Sequence, residues 1–168
     1  RIGPQPRRSI AHAAIGFATT KIGDLSQHDV SVLGDGVFAG IVARALSETG
    51  VNARQLSVEE IHRERPSGDR PFVVFCCQRS PAPVITKETV SNWSMSNRER
   101  DYIIDLGLPR NVDPDAGKLF GVTVWNLDDL VDAYTASTGA TDELIPVVET
   151  LVSDAVARFS ARHARTQH

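Results

Sequence analysis

Short apolar runs and helical patterns alternate along this chain. The run at 72–77 is apolar throughout, as is typical of a strand buried on both faces of a parallel sheet. Weaker or shorter runs predict further strands at 29–33, 51–58, 102–106 and 122–125. Because helical stretches separate these runs, the pattern predicts an α/β fold with a parallel sheet.

Helices are predicted where apolar residues recur at intervals of three and four. Ser9 is the predicted N-cap of a first helix that ends at Gly23, after a loop over residues 1–8. A second helix ends at about Glu48, and Thr86 caps a short helix that reaches about residue 95. The charged segment between the second and third apolar runs is predicted to be mostly loop with a short helical turn.

Asn126 caps a last helical region that runs to the C-terminus, with a break or kink near Gly139 and Pro146. Its second half carries an apolar stripe: Leu144, Val148, Leu151, Ala155 and Phe159. This spacing predicts packing on another helix, and we favour a second copy of the chain, which would make a homodimer.

The stretch from Val30 to Gly40 has the form of a dinucleotide-binding turn, because an apolar strand ends in two glycines and a helix follows. Gly34 would allow the tight bend, Gly36 would let the backbone approach a pyrophosphate, and Ala39 takes the third, helix-packing position. The phosphates would bind the exposed N–H groups of the new helix. The predicted cofactor contacts here are Gly34, Asp35, Gly36, Val37, Phe38 and Ala39.

Two later segments, 77–83 and 107–114, also follow predicted strands. Ligands of open α/β sheets bind at the carboxyl ends of the strands, so we expect both segments to share one crevice with the glycine turn. The further cofactor contacts predicted in these two segments are Cys77, Gln78, Arg79 and Pro109.

Composition narrows the class of protein. The 168 residues, 41% hydrophobic and 23% charged, are typical of one soluble globular domain, with room for a small appendage. A net charge of −3 gives no electrostatic reason to bind nucleic acid or a membrane surface. No apolar run approaches the roughly 18 residues of a membrane span. The two cysteines are adjacent, which predicts reduced thiols, a cytoplasmic location and no metal site.

Three segments resemble the glutamyl-tRNA reductases. Residues 76–87 (CCQRSPAPVITK) look like the loop that follows a Ser-Ser-Thr strand end in that family. Residues 104–114 (IDLGLPRNVDP) resemble its Asp-x-x-x-Pro-Arg-Asp-Ile-Asp-Pro loop, and residues 126–130 (NLDDL) resemble the Asn-Ile-Asp-Asp-Leu start of the helix that leads to its dimerisation domain. The resemblance covers most of residues 1–50 and 70–165.

The resemblance implies a Rossmann domain that binds NADPH and C-terminal helices that form a dimer. The family reduces glutamyl-tRNA to glutamate semialdehyde, the first committed step of tetrapyrrole biosynthesis. Its catalytic domain, with the nucleophilic cysteine and tRNA recognition, would precede Arg1. We therefore expect no residue of this chain to inherit those roles, and a separate partner chain could supply them.

Two departures from the family bear on the cofactor. Between Gly50 and Phe72 this chain is short, whereas the family has a full strand there, then an Asn/Ser-Arg-Thr turn that holds the adenosine ribose phosphate, and then a helix. Here that turn is not found, and the nearby cations, Arg54, Arg63 and Arg65, lie outside such a motif. Asp35 places a carboxylate near the pyrophosphate, which is electrostatically unfavourable unless it is screened.

The expected fold is therefore a Rossmann-like three-layer α/β domain with a shortened second β-α unit, flanked by an N-terminal helix and C-terminal dimerisation helices. Residues 1–125 would form the NAD(P)-binding domain with that first helix, and residues 126–168 the helical dimerisation segment.

The sequence gives less support to a catalytic role for any side chain. Cys76 or Cys77 could be a nucleophile if a cation lowered its pKa, but strand alternation favours packing for at least one of them. Asp105 and Asp113 could form an acid/base pair, although the neighbouring prolines favour a role in turn and cap geometry.

Two main hypotheses of function follow. The chain is the nucleotide-binding and dimerisation module of a glutamyl-tRNA reductase-like oxidoreductase, or it is a degenerate stand-alone relative. The second would be a non-catalytic, dimeric binding or scaffold protein in another biosynthetic pathway. A small enzyme that uses Cys76 or Cys77 is a third possibility.

Overall fold

The computed structural model describes residues 6–63, 65, 68, 70–93 and 100–138. The strands are β1 (Asp29–Leu33), β2 (Arg54–Leu56), β3 (Phe72–Cys76), β4 (Asp101–Asp105) and β5 (Val122–Asn126). The helices are α1 (Pro6–Ile22), α2 (Val37–Glu48), α3 (Val58–Arg63), α4 (Lys87–Asn92) and α5 (Leu127–Thr138). Two short 3-10 helices, Leu25–Gln27 and Pro114–Lys118, lie before β1 and before β5.

The five strands form one parallel sheet in the order β2-β1-β3-β4-β5. The chain leaves β1 toward one edge, forms β2, and then crosses back to place β3 on the other side of β1. A complete Rossmann sheet has the order 3-2-1-4-5-6, and removal of its outer third strand leaves the order seen here. The shortened second unit that the sequence predicts therefore corresponds to an edge with one strand fewer.

The sheet is covered on both faces, which gives three layers. On one face, α1, α2 and the first turn of α5 pack on alternate strand residues such as Val32, Val73 and Ile104. On the other face, α3, α4 and the second 3-10 helix pack on the intervening residues, such as Phe72 and Val74. All five residues of β3 are buried, because this strand is central and both of its faces meet helices.

The predicted α/β class and every predicted strand are confirmed. The second strand is shorter than its apolar pattern suggested, since only 54–56 pair with β1. The prediction of Ser9 as the first N-cap is wrong, because α1 begins at Pro6. Proline is well tolerated in the first turn of a helix, where its missing N–H costs nothing.

Some predictions fall outside the described residues. They include the helical region beyond residue 138 with its apolar stripe and the loop at 1–5. The helix capped by Thr86 ends earlier than the predicted residue 95, because α4 ends at Asn92 and Trp93 is its C-cap. The division into 1–125 and 126–168 stays a prediction, and so does dimerisation. Leu127 and Leu130 of α5 are buried in the same core as α1. Among the helices in the described ranges, none has the length and apolar character needed to cross a membrane.

Trp93 ties α3 and α4 to the sheet. Its indole Nε1 donates to the carbonyl oxygen of Ile61 at 3.0 Å, and its ring meets that of Phe72 edge-on with 5.8 Å between centroids. The side chain is almost completely enclosed, with 2% of its surface exposed. A short α3 has little apolar surface of its own, so this contact anchors it.

We expect Trp93→Ala to lower the free energy of unfolding by about 3–5 kcal/mol, because it opens a cavity and leaves the Ile61 carbonyl unpaired. Urea unfolding followed by far-UV circular dichroism measures the change. Phe120→Ala is the matched control, since Phe120 is 88% exposed and its loss should cost less than about 0.5 kcal/mol. Equal urea midpoints for the two variants would contradict the assignment.

Candidate nucleotide-binding site

The glycine turn lies at the point where the strand order reverses, between the carboxyl ends of β1 and β3. Gly34 has φ +128°, and a Cβ built on it would lie 2.8 Å from the carbonyl oxygen of Cys77. The Cys77 amide donates to the Leu33 carbonyl at 2.8 Å, which holds the two strand ends together. Both the backbone angle and the space therefore require glycine at position 34.

A side chain from β2 fixes the other side of this turn. Gln55 Nε2 donates to the carbonyl oxygen of Gly34 at 2.8 Å, and the Gly34 amide donates to the Leu56 carbonyl at 3.2 Å. The sequence showed Gln55 only as part of a weak strand, and no local pattern marks its role. The end of β2 is thus joined directly to the glycine turn.

The amino end of α2 opens toward solvent behind Gly36, its N-cap residue. No described side chain caps this end, and the first turn contains no acidic residue. Val37 is 62% exposed, whereas Ala39 is 1% exposed and packs in the core as its predicted helix-packing position requires. Phe38 is partly buried against the same core. Backbone N–H groups at such a helix end form a ready site for an anion.

Arg79 lies over this turn. A Cβ built on Gly36 would be 3.4 Å from Nε of Arg79 and 3.8 Å from the guanidinium carbon. Asp35 is exposed on the same turn, so a cation and a carboxylate border the open helix end. The chain thus provides a positive group close to the place where the sequence predicts a pyrophosphate.

The loops after β3 and β4 are joined by Asn111, which is fully buried. Its Oδ1 accepts from the Gln78 amide and its Nδ2 donates to the Gln78 carbonyl, both at 2.9 Å. Its own carbonyl accepts from the amides of Val84 and Ile85 at 2.7 and 2.9 Å. The predicted meeting of the two segments is therefore present, and Pro109 is exposed in the second of them.

Asp105 shapes the second loop. Its carboxylate accepts hydrogen bonds from the amides of Gly107, Asn111 and Val112 at 2.9–3.1 Å. Burial raises the pKa of Asp105, and these amide hydrogen bonds offset that effect only in part. Asp113 accepts from the Asp115 amide at 2.9 Å as the N-cap of the second 3-10 helix. Both carboxylates serve turn and cap geometry, as the neighbouring prolines suggested.

The two cysteines are free and buried on opposite faces of the sheet. Burial raises the pKa of both thiols, and the nearby Asp105 carboxylate raises them further. Both are therefore neutral at physiological pH and lack the thiolate that a nucleophile requires. Cys77 meets Gly34 through its backbone, while its side chain belongs to the core.

Where β2 ends, Ser57 and Glu60 form a reciprocal cap at the start of α3. The Ser57 amide donates to Glu60 Oε2 at 2.8 Å, and the Glu60 amide donates to Ser57 Oγ at 3.2 Å. Arg54 completes the group, because its guanidinium donates to Glu60 Oε1 at 3.1 Å. A carboxylate therefore stands beside the end of the strand.

A cavity of about 700 Å³ lies toward the opposite, amino ends of β1 and β2, lined in part by Asp29, Arg54, Arg65 and Arg70. These charges are paired: Arg70 with Asp29 at 3.7 Å, Arg65 with Asp101 at 2.6 Å and Arg54 with Glu60. Because it lies at the amino ends of the strands, this cavity is separate from the crevice at their carboxyl ends. In the part of the chain that the structure describes, no cluster of three or more metal-ligating side chains occurs.

The parallel sheet, its strand order and the glycine turn at the switch point define a Rossmann-like domain of the nucleotide-binding class. The family model described as shikimate / quinate 5-dehydrogenase matches residues 51–133. The chain is 30% identical over 174 residues to the glutamyl-tRNA reductase of Myxococcus xanthus, covering 93% of this chain and 40% of that protein. It is 26% identical over 178 residues to the enzyme of Alcanivorax borkumensis, covering 94% and 42%.

Solved structures agree on the fold. Glutamyl-tRNA reductase from Methanopyrus kandleri superposes with a TM-score of 0.62 at 22% identity, covering 94% of this chain and 44% of that one. The dipicolinate synthase chain from Bacillus halodurans gives 0.58 at 16% identity, covering 92% and 54%. The chain is related to the glutamyl-tRNA reductase family. It spans about two fifths of the length of the curated relatives named above.

We expect Gly34→Ala to destabilise the chain by more than about 2 kcal/mol, because the methyl group would meet the Cys77 carbonyl in a backbone conformation that alanine resists. Gly50→Ala is the control: Gly50 also has positive φ (+84°), but its added Cβ would contact nothing within 4 Å. That variant should cost only about 1 kcal/mol. Urea midpoints measure both, and equal losses would show that the close approach is unimportant.

We expect Asn111→Ala to lower the free energy of unfolding by about 2–4 kcal/mol, since it leaves both backbone groups of Gln78 unpaired and opens a void. Hydrogen exchange should also accelerate at the amides of residues 78 and 84–85. Asn52→Ala provides an exposed control that should leave both measurements unchanged. Unaltered exchange in Asn111→Ala would contradict the role of this side chain.

Proposed function

We propose that this chain is a glutamyl-tRNA reductase-like nucleotide-binding module that takes a nicotinamide dinucleotide in the crevice between β1 and β3. The uncapped amino end of α2 behind Gly36 carries the proposal, because its N–H groups suit the two negative charges of a pyrophosphate. The exposed Val37 side chain supports it, since a bound dinucleotide would cover this apolar surface.

Arg79 is the proposed cationic partner of the pyrophosphate. Its guanidinium lies against Gly36 and can offset the charge of Asp35 as well as that of the ligand. The fit of these residues to a pyrophosphate rests on the uncapped helix end and on Arg79, whose Nε would lie 3.4 Å from a Cβ built on Gly36. Bound cofactor would supply hydride transfer, and the chain would supply position and charge.

The nicotinamide half is proposed to lie over the loops after β3 and β4. Residues 77–80 and 108–110 line that side, and Asn111 holds the two loops in one arrangement. NADPH is the cofactor that the family resemblance implies. Together with a catalytic domain, from the same or a partner chain, this module would serve the nicotinamide-dependent reduction of glutamyl-tRNA in tetrapyrrole biosynthesis, as a cytoplasmic homodimer joined through residues 126–168.

Titration of the 168-residue chain with NADH and with NADPH tests the proposal, with nicotinamide fluorescence and calorimetry as readouts. We expect saturable binding below about 1 mM, and an affinity about tenfold weaker in Arg79→Gln, because one charge-assisted contact is lost. Arg44→Gln is the matched control, since the Arg44 side chain on α2 is 85% exposed and pairs with Glu48 four residues on.

The absence of saturable binding for both dinucleotides at millimolar concentration would overturn this function. That result would favour the second candidate, a degenerate relative that acts as a non-catalytic, dimeric binding or scaffold protein. Asp35 in the glycine turn favours this alternative, since it places negative charge beside an anionic ligand.

A further inference from the structure

We propose that this crevice selects a dinucleotide whose adenosine ribose carries a free 2′-hydroxyl, so that it takes NAD(H) in preference to NADP(H). This inference rests on the proposed nucleotide-binding function and concerns the end of β2. In Rossmann domains, the residue that reads the 2′ position stands about 20 residues beyond the glycine turn. Ser57, the first residue after β2, follows Gly36 by 21 residues.

The end of β2 is held in place relative to the glycine turn. Gln55 donates to the Gly34 carbonyl, and Gly34 itself donates to Leu56. The strand pairs with β1 in register, with Leu56 opposite Leu33. A dinucleotide with its pyrophosphate at α2 would therefore bring its adenosine ribose toward Ser57 and the groups bound to it.

The group bound to Ser57 is the Glu60 carboxylate, and it is fixed there. One oxygen accepts from the Ser57 amide at 2.8 Å and the other from Arg54 at 3.1 Å, while Ser57 Oγ closes the reciprocal cap. The hydrogen bond from the Ser57 amide lowers the pKa of Glu60, so the group is ionised at neutral pH. A carboxylate in this place accepts a hydrogen bond from a ribose hydroxyl.

Two arginines and a histidine of this segment already have partners in the structure. Arg54 is tied to Glu60, and Arg65 forms a mostly buried pair with Asp101, with 17% and 13% of their side-chain surfaces exposed. The His62 ring is hydrogen-bonded to the Val84 carbonyl. Arg63 ends α3, about 9 Å along the helix axis from Ser57 at 1.5 Å per residue.

The charge of Glu60 should affect the binding of NADP(H) and NAD(H) differently. A 2′-phosphate brings an additional charge of about −1.5 to −2 at neutral pH. Next to Glu60 that charge would be repelled unless Arg54 moved to it, and Arg54 is already bound to Glu60 Oε1 at 3.1 Å. The free 2′-hydroxyl of NAD(H) carries no charge for Glu60 to repel, and it can donate a hydrogen bond to that carboxylate.

Parallel titrations of the intact chain with NADH and NADPH test the preference. We expect NADH to bind about tenfold or more tightly than NADPH at low ionic strength, and the ratio to shrink as salt screens the charges. Glu60→Gln should bring the ratio to within about threefold, because glutamine keeps the reciprocal cap without the charge. Glu48→Gln removes a charge at the far end of α2 and should leave the ratio unchanged.

The outcomes separate the two proposals. Equal or tighter binding of NADPH by the unaltered chain would overturn the preference and leave the nucleotide-binding function standing. A preference for NADH that persists in Glu60→Gln would overturn the role of that carboxylate. Failure of both dinucleotides to bind would overturn the function and this inference together.

Discussion

The close approach of Gly34 to the carbonyl of Cys77 is the constraint on which the crevice depends. With 2.8 Å between that oxygen and a built Cβ, the first turn residue must be glycine for β1 and β3 to pair to their ends. This pairing sets where α2 begins, because only Asp35 and Gly36 separate the turn from the helix. The contact between Gly34 and Cys77 therefore fixes the positions of both the open helix end and Arg79.

Buried hydrogen bonds make the rest of the crevice a fixed surface rather than a set of independent loops. Asn111 satisfies both backbone groups of Gln78, and Asp105 accepts from three amides of the following loop. Such groups are costly to leave unpaired in a low-dielectric interior, so the network either forms completely or destabilises the fold. Pre-organisation of this kind lowers the ordering cost of binding a ligand.

The sequence allowed the framework to be predicted because strand runs, glycines and caps are local signals. β1 and β3, the Thr86 cap and the Asn126 cap all agree with their patterns. The side chains that join the crevice could not be found this way. Gln55 and Asn111 reach partners 21 and 33 residues away in sequence, and nothing beside them in the chain indicates the contact.

The shortened second unit links the fold to the chemistry of the proposed site. This edge lacks one strand and most of a helix of a complete Rossmann domain, and ion pairs connect its segments instead. Arg65 binds Asp101 at the start of β4, and Arg70 binds Asp29 at the start of β1. Arg54 likewise holds α3 through Glu60. These arginines hold the truncated edge together, and each of them already has a carboxylate partner. In the proposed site, the side chains that close the truncated edge are thus the same cations that a 2′-phosphate would need as partners.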